Sequence, residues 1–189
     1  MDFFDDHLEE EEQLPRKMEI EFRDQADKKS VVLRSRGLNF GDRLTDNVRD
    51  EDGYRYHDVF HFAYAVYLGW SPVTRKLLRL KRKSDPKVDE GEDGARAGIV
   101  EEAVSAIAFS RAKKLKYFEG IHKLDYDLLK MVSEFVEDFE VKKAPLWQWE
   151  VAILEGFKHF RELRKNGGGI IILELHARKM TYYPPVKRA

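Results

Sequence analysis

Met18, Ile20 and Phe22 alternate with Glu19, Glu21 and Arg23, and a second apolar-rich stretch runs from Ser30 to Arg36. Separated by polar residues from Asp24 to Lys29, the two predict a β-hairpin. Gly37 and Gly41 punctuate the following loop, and the polar stretch Asp42 to Gly53 leads into a helix from about Tyr54 to Leu68 that Gly69 stops. Ser71 and Pro72 suit a helix start, the serine as cap and the proline in the first turn, for a helix over Val73 to Arg82. Residues 84–94 read as an acidic loop. A longer helix covers roughly Ala95 to Phe118, with Ile99, Ala103, Ala106 and Ile107 as its apolar stripe. Two more amphipathic helices follow, about Asp125 to Phe139 and Pro145 to Lys165, the second anchored by Trp147, Trp149, Ile153, Phe157 and Phe160. Gly167 to Gly169 end it, and Ile170 to Leu175 reads as a strand joining the hairpin. The expected fold is mainly α: a bundle of about five helices with a small antiparallel sheet made of the N-terminal hairpin and the C-terminal strand.

Composition refines this picture. The first 16 residues, with Asp2, Asp5, Asp6 and Glu9 to Glu12, read as an acidic, solvated tail or a docking segment for a basic partner. Residues 17–189 read as one α-rich domain. Charged residues make up 37% of the chain, which argues for long solvated helices. The net charge of −1 gives no global basic field, so nucleic-acid binding by counterion release is not indicated and any anion site must be local. Without cysteine there is no disulfide framework, thiolate ligand or thiol nucleophile, which fits a reducing compartment. No apolar run reaches the roughly 20 residues of a membrane span, and the acidic start is unlike a signal peptide. A soluble, cytoplasmic protein is expected.

Two polar clusters interrupt apolar helices. His57, Asp58 and His61 converge on one patch at helical spacing, and burying them beside Phe60 and Phe62 is costly without a cation or hydrogen bonds. Imidazole suits zinc, manganese, iron or nickel, and carboxylate adds magnesium and manganese. His-Asp-x-x-His also lies one methylene from His-Glu-x-x-His, the zinc hydrolase pattern. Histidines that merely cap loops or bond aspartates are the alternative. Glu101 and Glu102 flank the stripe of the long helix, where they either bind a hard cation or face solvent. Acidic groups beside Lys81, Arg82, Lys83 and Arg96, which would contact phosphates, suit a phosphate-processing site.

The stretches Gly41 to Asn47, Asp52 to His61, Gly69 to Pro72, Lys81 to Ser84, Glu92 to Ala97 and Glu101 to Ala103 resemble MazG-like, or MazG C-terminal-domain, nucleotide pyrophosphohydrolases. The resemblance spans roughly Leu14 to Arg178. It implies an all-α pyrophosphohydrolase, with helices bearing Glu-x-x-Glu and Glu-x-x-Asp that bind magnesium, cleaving a nucleoside triphosphate to monophosphate and pyrophosphate. Here Asp58-Val-Phe-His61 stands for the first motif and Glu102-Ala-Val-Ser105 for the second. With two carboxylates replaced, Mg2+ or Mn2+ is expected, Zn2+ less so, and loss of catalysis would leave a nucleotide-sensing or partner-binding subunit. On this resemblance Asp58, His61, Glu101 and Glu102 are the expected metal ligands, and Asp58, His57 and Glu101 the catalytic set. Lys81, Lys83 and Arg96 would meet the phosphates and Tyr54 the base. A homo-oligomer is expected by analogy.

Overall fold

The alternating N-terminal residues form β1 (Lys17–Gln25) and β2 (Ser30–Ser35), antiparallel, with Phe22 opposite Leu33. The computed structural model describes residues 3–25 and 29–185, and the middle of the turn between these strands, 26–28, lies outside the described residues. β4 (Gly168–Glu174) pairs with the other side of β1, Ile20 opposite Ile171. Only glycine fits at 168: its φ is +102°, and a Cβ there would lie 2.2 Å from the Phe22 carbonyl oxygen. Two strands that the sequence does not predict, β3 (Leu38–Thr45) and β5 (Lys179–Tyr183), complete an antiparallel sheet of order β3-β2-β1-β4-β5. The expectation of a mainly α, or all-α, bundle with a small sheet is therefore corrected: among the described residues six α-helices accompany a five-stranded sheet. β3 has no buried residue because it is an edge strand held through backbone pairing to β2, across a register shift between Val31 and Leu33. It carries no periodicity to read.

Ile20, Phe22, Val31, Leu33, Ile171 and Leu173 cover the inner face of the sheet. Over it lies α1 (Asp58–Leu68), preceded by a 3-10 turn at Tyr54–Tyr56 and buried at every position. A helix buried all round must be apolar all round, as this one nearly is. Phe62 meets Phe22 edge-on at 6.0 Å, and Phe60 meets Phe157 of α6 (Leu146–Asn166) at 4.4 Å. α2 (Pro72–Leu78), α4 (Ala95–Lys113) and α5 (Tyr126–Phe135) follow the expected order, while α3 (Pro86–Gly91) falls in the expected loop. Ser71 caps α2 as anticipated, its Oγ accepting from the Thr74 amide. The stripe of α4 is corrected. Its buried face carries Ala97, Glu101, Val104, Ser105 and Ala108, whereas Ile99 is 68% exposed. No described helix is long and apolar enough to cross a membrane.

Within the segment expected as a solvated tail, the described residues 3–16 are anchored at three points. Phe3 and Leu14 are buried, and the buried Asp5 carboxylate accepts from the Leu14 amide at 2.7 Å, from Arg16 at 2.7 Å and from Arg75 of α2 at 2.5 Å. Arg82, expected among the phosphate contacts, is buried and binds Asp93 and, at 2.8 Å, Glu140. Asp93 also lies 3.7 Å from Arg75, so one line of ions joins the N-terminal segment to α2 and the chain before α4.

His159 of α6 is buried beneath β5 with Glu155 3.9 Å away. Burial outweighs Glu155 and pulls its pKa down to about 4, so folding favours neutral imidazole. The unfolded chain protonates first as pH falls below about 6.5, so this group costs stability progressively down to about pH 4, in total about 3 kcal/mol. Urea unfolding from pH 7.5 to 4 should give a steeper fall for the wild type than for His159→Leu; parallel curves would remove His159 as the cause.

Candidate metal centre

Asp46, directly after β3, closes the loop that leads into α1. The Asp46 carboxylate accepts from the amides of Asp52, Gly53 and Arg55, which fixes the 3-10 turn and sets Tyr54 over His57. The two rings stack at 4.4 Å and 4°, and His57 Nδ1 lies 2.9 Å from the Tyr54 carbonyl oxygen. A carbonyl only accepts, so Nδ1 carries the hydrogen and Nε2 presents its lone pair, 3.5 Å from Asp58 Oδ1. One turn on, His61 Nδ1 lies 2.8 Å from Glu101 Oε1. The carboxylate accepts the Nδ1 hydrogen, leaving His61 Nε2 buried, without a hydrogen bond and 3.5 Å from Glu102 Oε1. Ligand atoms of His57, Asp58 and His61 all lie within 4.8 Å of one another.

Glu101 is fully buried. Its Oε1 also accepts from Ser71 Oγ at 2.6 Å, and its Oε2 accepts from the Val73 amide at 2.8 Å. Three donors thus occupy the carboxylate, which ties the start of α2 to His61. Glu101 is placed to orient a ligand. Glu102, with a side chain 45% exposed, stands at the rim on the next face of α4. Ser105 is buried one turn beyond Glu101.

Burial lowers the His57 pKa against the pull of Asp58, keeping the imidazole neutral, and burial raises that of Asp58. Burial also disfavours charge on His61, but Glu101 and Glu102 outweigh it and lift the pKa to about 10. A divalent cation at Nε2 would displace that proton. Burial raises the Tyr54 phenol, Glu102 and Asp58 add to it, and the pKa reaches about 12, so Tyr54 stays neutral.

Beyond Glu102 a cleft of about 480 Å³ opens between α2 and α4, lined by Val73, Lys76, Lys81, Gly98 and Ile99. Of the expected phosphate contacts Lys81 lines it, 3.4 Å from Asp89. Lys83 is exposed outside it, and Arg96 pairs with Asp138 at 2.8 Å. Tyr54 has one face against His57 and an edge contact with Phe109 at 4.8 Å, a support for the cluster. Two charged neighbours escape a reading of the sequence: Lys76, whose charge acts on Glu102, and Asp42 of β3, whose charge acts on Asp58. Each is one charge in a polar stretch, without a motif to mark it. The acids before α4 turn elsewhere, Asp93 to Arg82 and Glu92 to the Glu140 amide.

A family model described as MazG C-terminal domain matches residues 1–186. The chain belongs to the MazG C-terminal domain family. Comparisons with curated proteins and with solved structures find no match. Membership points to a role related to that of MazG-like nucleotide pyrophosphohydrolases. In this MazG C-terminal domain the polar cluster is built from two helix turns and from Glu101, which binds the start of α2 rather than solvent.

Proposed function

We propose that the protein is a metal-dependent nucleoside triphosphate pyrophosphohydrolase. The observation that carries this reading is the buried group of His57, Asp58 and His61, with an unbonded Nε2 on His61, in a chain of this family. Two imidazoles and a carboxylate fit a divalent cation, and the nitrogen donors favour Mn2+ over Mg2+, with Zn2+ a further candidate. His57, Asp58 and His61 would hold it, with Glu102 at the rim. When bound, such a cation neutralises phosphate charge and lowers the pKa of a bound water.

The remaining work falls to the chain itself. Lys76 and Lys81 would take the anionic oxygens of the substrate and stabilise charge developing on the pyrophosphate leaving group. Glu102, half-exposed between the cluster and the cleft, is placed to accept a proton from the attacking water. Glu101 and the Tyr54 carbonyl would hold Nδ1 of the two imidazoles and so orient each Nε2 toward the cation.

The test is pyrophosphate release from ribo- and deoxyribonucleoside triphosphates, each with Mg2+, Mn2+ or Zn2+. Ion-dependent release, strongest with Mn2+, is the expected result. Nucleotide binding without release from any pair would replace this reading with a sensing subunit. Zinc retained stoichiometrically through purification and lost in His57→Ala would favour a zinc hydrolase.

A further inference from the structure

Gly98 is the fourth residue of α4, at the end of its first turn, a position that alanine would stabilise. A Cβ built there meets no atom within 4 Å, so packing gives no reason for a glycine. Gly94, one turn earlier, differs: its Cβ would fall 2.0 Å from the Glu90 carbonyl oxygen. What Gly98 borders is the cleft between α2 and α4, next to Ile99, an isoleucine 68% exposed. Across the cleft stand Pro72 and Val73. Lys76, exposed, has no ion-pair partner among the described residues.

We propose that this cleft seats the nucleotide, its phosphates on Lys76 beside Glu102 and its nucleoside against Ile99, and that residue 98 is glycine so that the floor stays open. This inference rests on the pyrophosphohydrolase reading. The cleft's volume, about 480 Å³, lies within the range of small-molecule pockets. Its lining is mixed, with Lys81 and Asp93 beside Pro72, Val73 and Ile99. Glu102 and Lys76 mark the end beside the metal cluster, and Ile99 and Gly98 lie about one turn, or ~5 Å, further toward the start of α4. A ligand with a cation-binding, anionic head and a partly apolar body matches that order. Gly98 in turn trades helix stability for room.

The two effects separate in one experiment on the full chain. Binding of the α,β-methylene analogues of ATP, GTP, CTP and UTP is measured by calorimetry with Mn2+, alongside the melting midpoint and Mn2+ affinity without nucleotide. Gly98→Ala should raise the midpoint by about 2 to 4 °C yet weaken the analogue a few-fold. Gly98→Leu should weaken it at least tenfold and Lys76→Ala about tenfold, with Mn2+ affinity unchanged in all three. If Gly98→Leu does not fold, Gly98→Ala carries the test. Wild-type analogue affinity in the folded glycine variants, or an unchanged KM for a turned-over nucleotide, overturns the cleft and leaves the pyrophosphohydrolase reading standing. Glycine-dependent binding without pyrophosphate release supports the cleft and overturns turnover. No analogue binding by the wild type overturns both.

Discussion

Asp58→Asn should lose metal-dependent pyrophosphate release by at least about 100-fold while the protein stays folded. Loss of a supporting partner around a metal lowers affinity or activity about 10- to 100-fold, so loss of the one buried anionic ligand reaches at least the upper end. Two forces act on stability. Asp58 begins α1, where a negative charge gains from the helix dipole, but burial dominates and its pKa is raised, so the surroundings disfavour the anion. The asparagine variant should therefore melt at the same temperature as the wild type or higher. Glu101→Gln gives a different signature. An amide cannot accept from both His61 Nδ1 and the Val73 amide without turning its NH2 toward a donor. Mn2+ affinity should fall about 10- to 100-fold, with kcat largely recovered at saturating Mn2+. Unchanged release in Asp58→Asn would remove the cluster as the active site.

Where the sequence was legible, one period dominated. The β1–β2 hairpin and the β4 strand bury every second residue, and α1 is apolar on all sides because it is buried on all sides. Where it was not, the controlling interaction lay elsewhere in the chain. β3 and β5 are edge strands defined by backbone pairing, which leaves little mark on side chains. Glu101 looks like a surface acid until Ser71, the Val73 amide and His61 surround it. A periodicity reading puts Ile99 on the apolar stripe and Glu101 at its flank, whereas the structure exposes Ile99 and buries Glu101. The cluster itself is local, two turns of one helix, and could be read; its tautomers depend on the Tyr54 carbonyl and Glu101 and could not.

The acidic N-terminal residues make the same point with a larger energetic consequence. Asp5 is fully buried, and its carboxylate answers two guanidinium groups, Arg16 and Arg75, the second itself buried. Burial works against the charge, but hydrogen bonds from Arg16 and Leu14 and the charge of Arg75 overcome it and hold the pKa below 3.8. Removing the acid takes from the buried Arg75 its 2.5 Å partner and leaves it the Glu12 and Leu80 carbonyl oxygens and Asp93 at 3.7 Å. Breaking a buried pair from one side costs about 3 to 5 kcal/mol, so Asp5→Ala should lower the melting midpoint by roughly 10 °C. The pH dependence distinguishes charge from packing. A depressed pKa adds stability that is complete above 3.8 and is lost as pH falls through the folded-state value. The gap between wild type and Asp5→Asn in urea unfolding should therefore be widest near neutral pH and narrow below 3.8. A loss under about 1 kcal/mol at pH 7 would mean that residues 3–16 do not dock on α2 in solution.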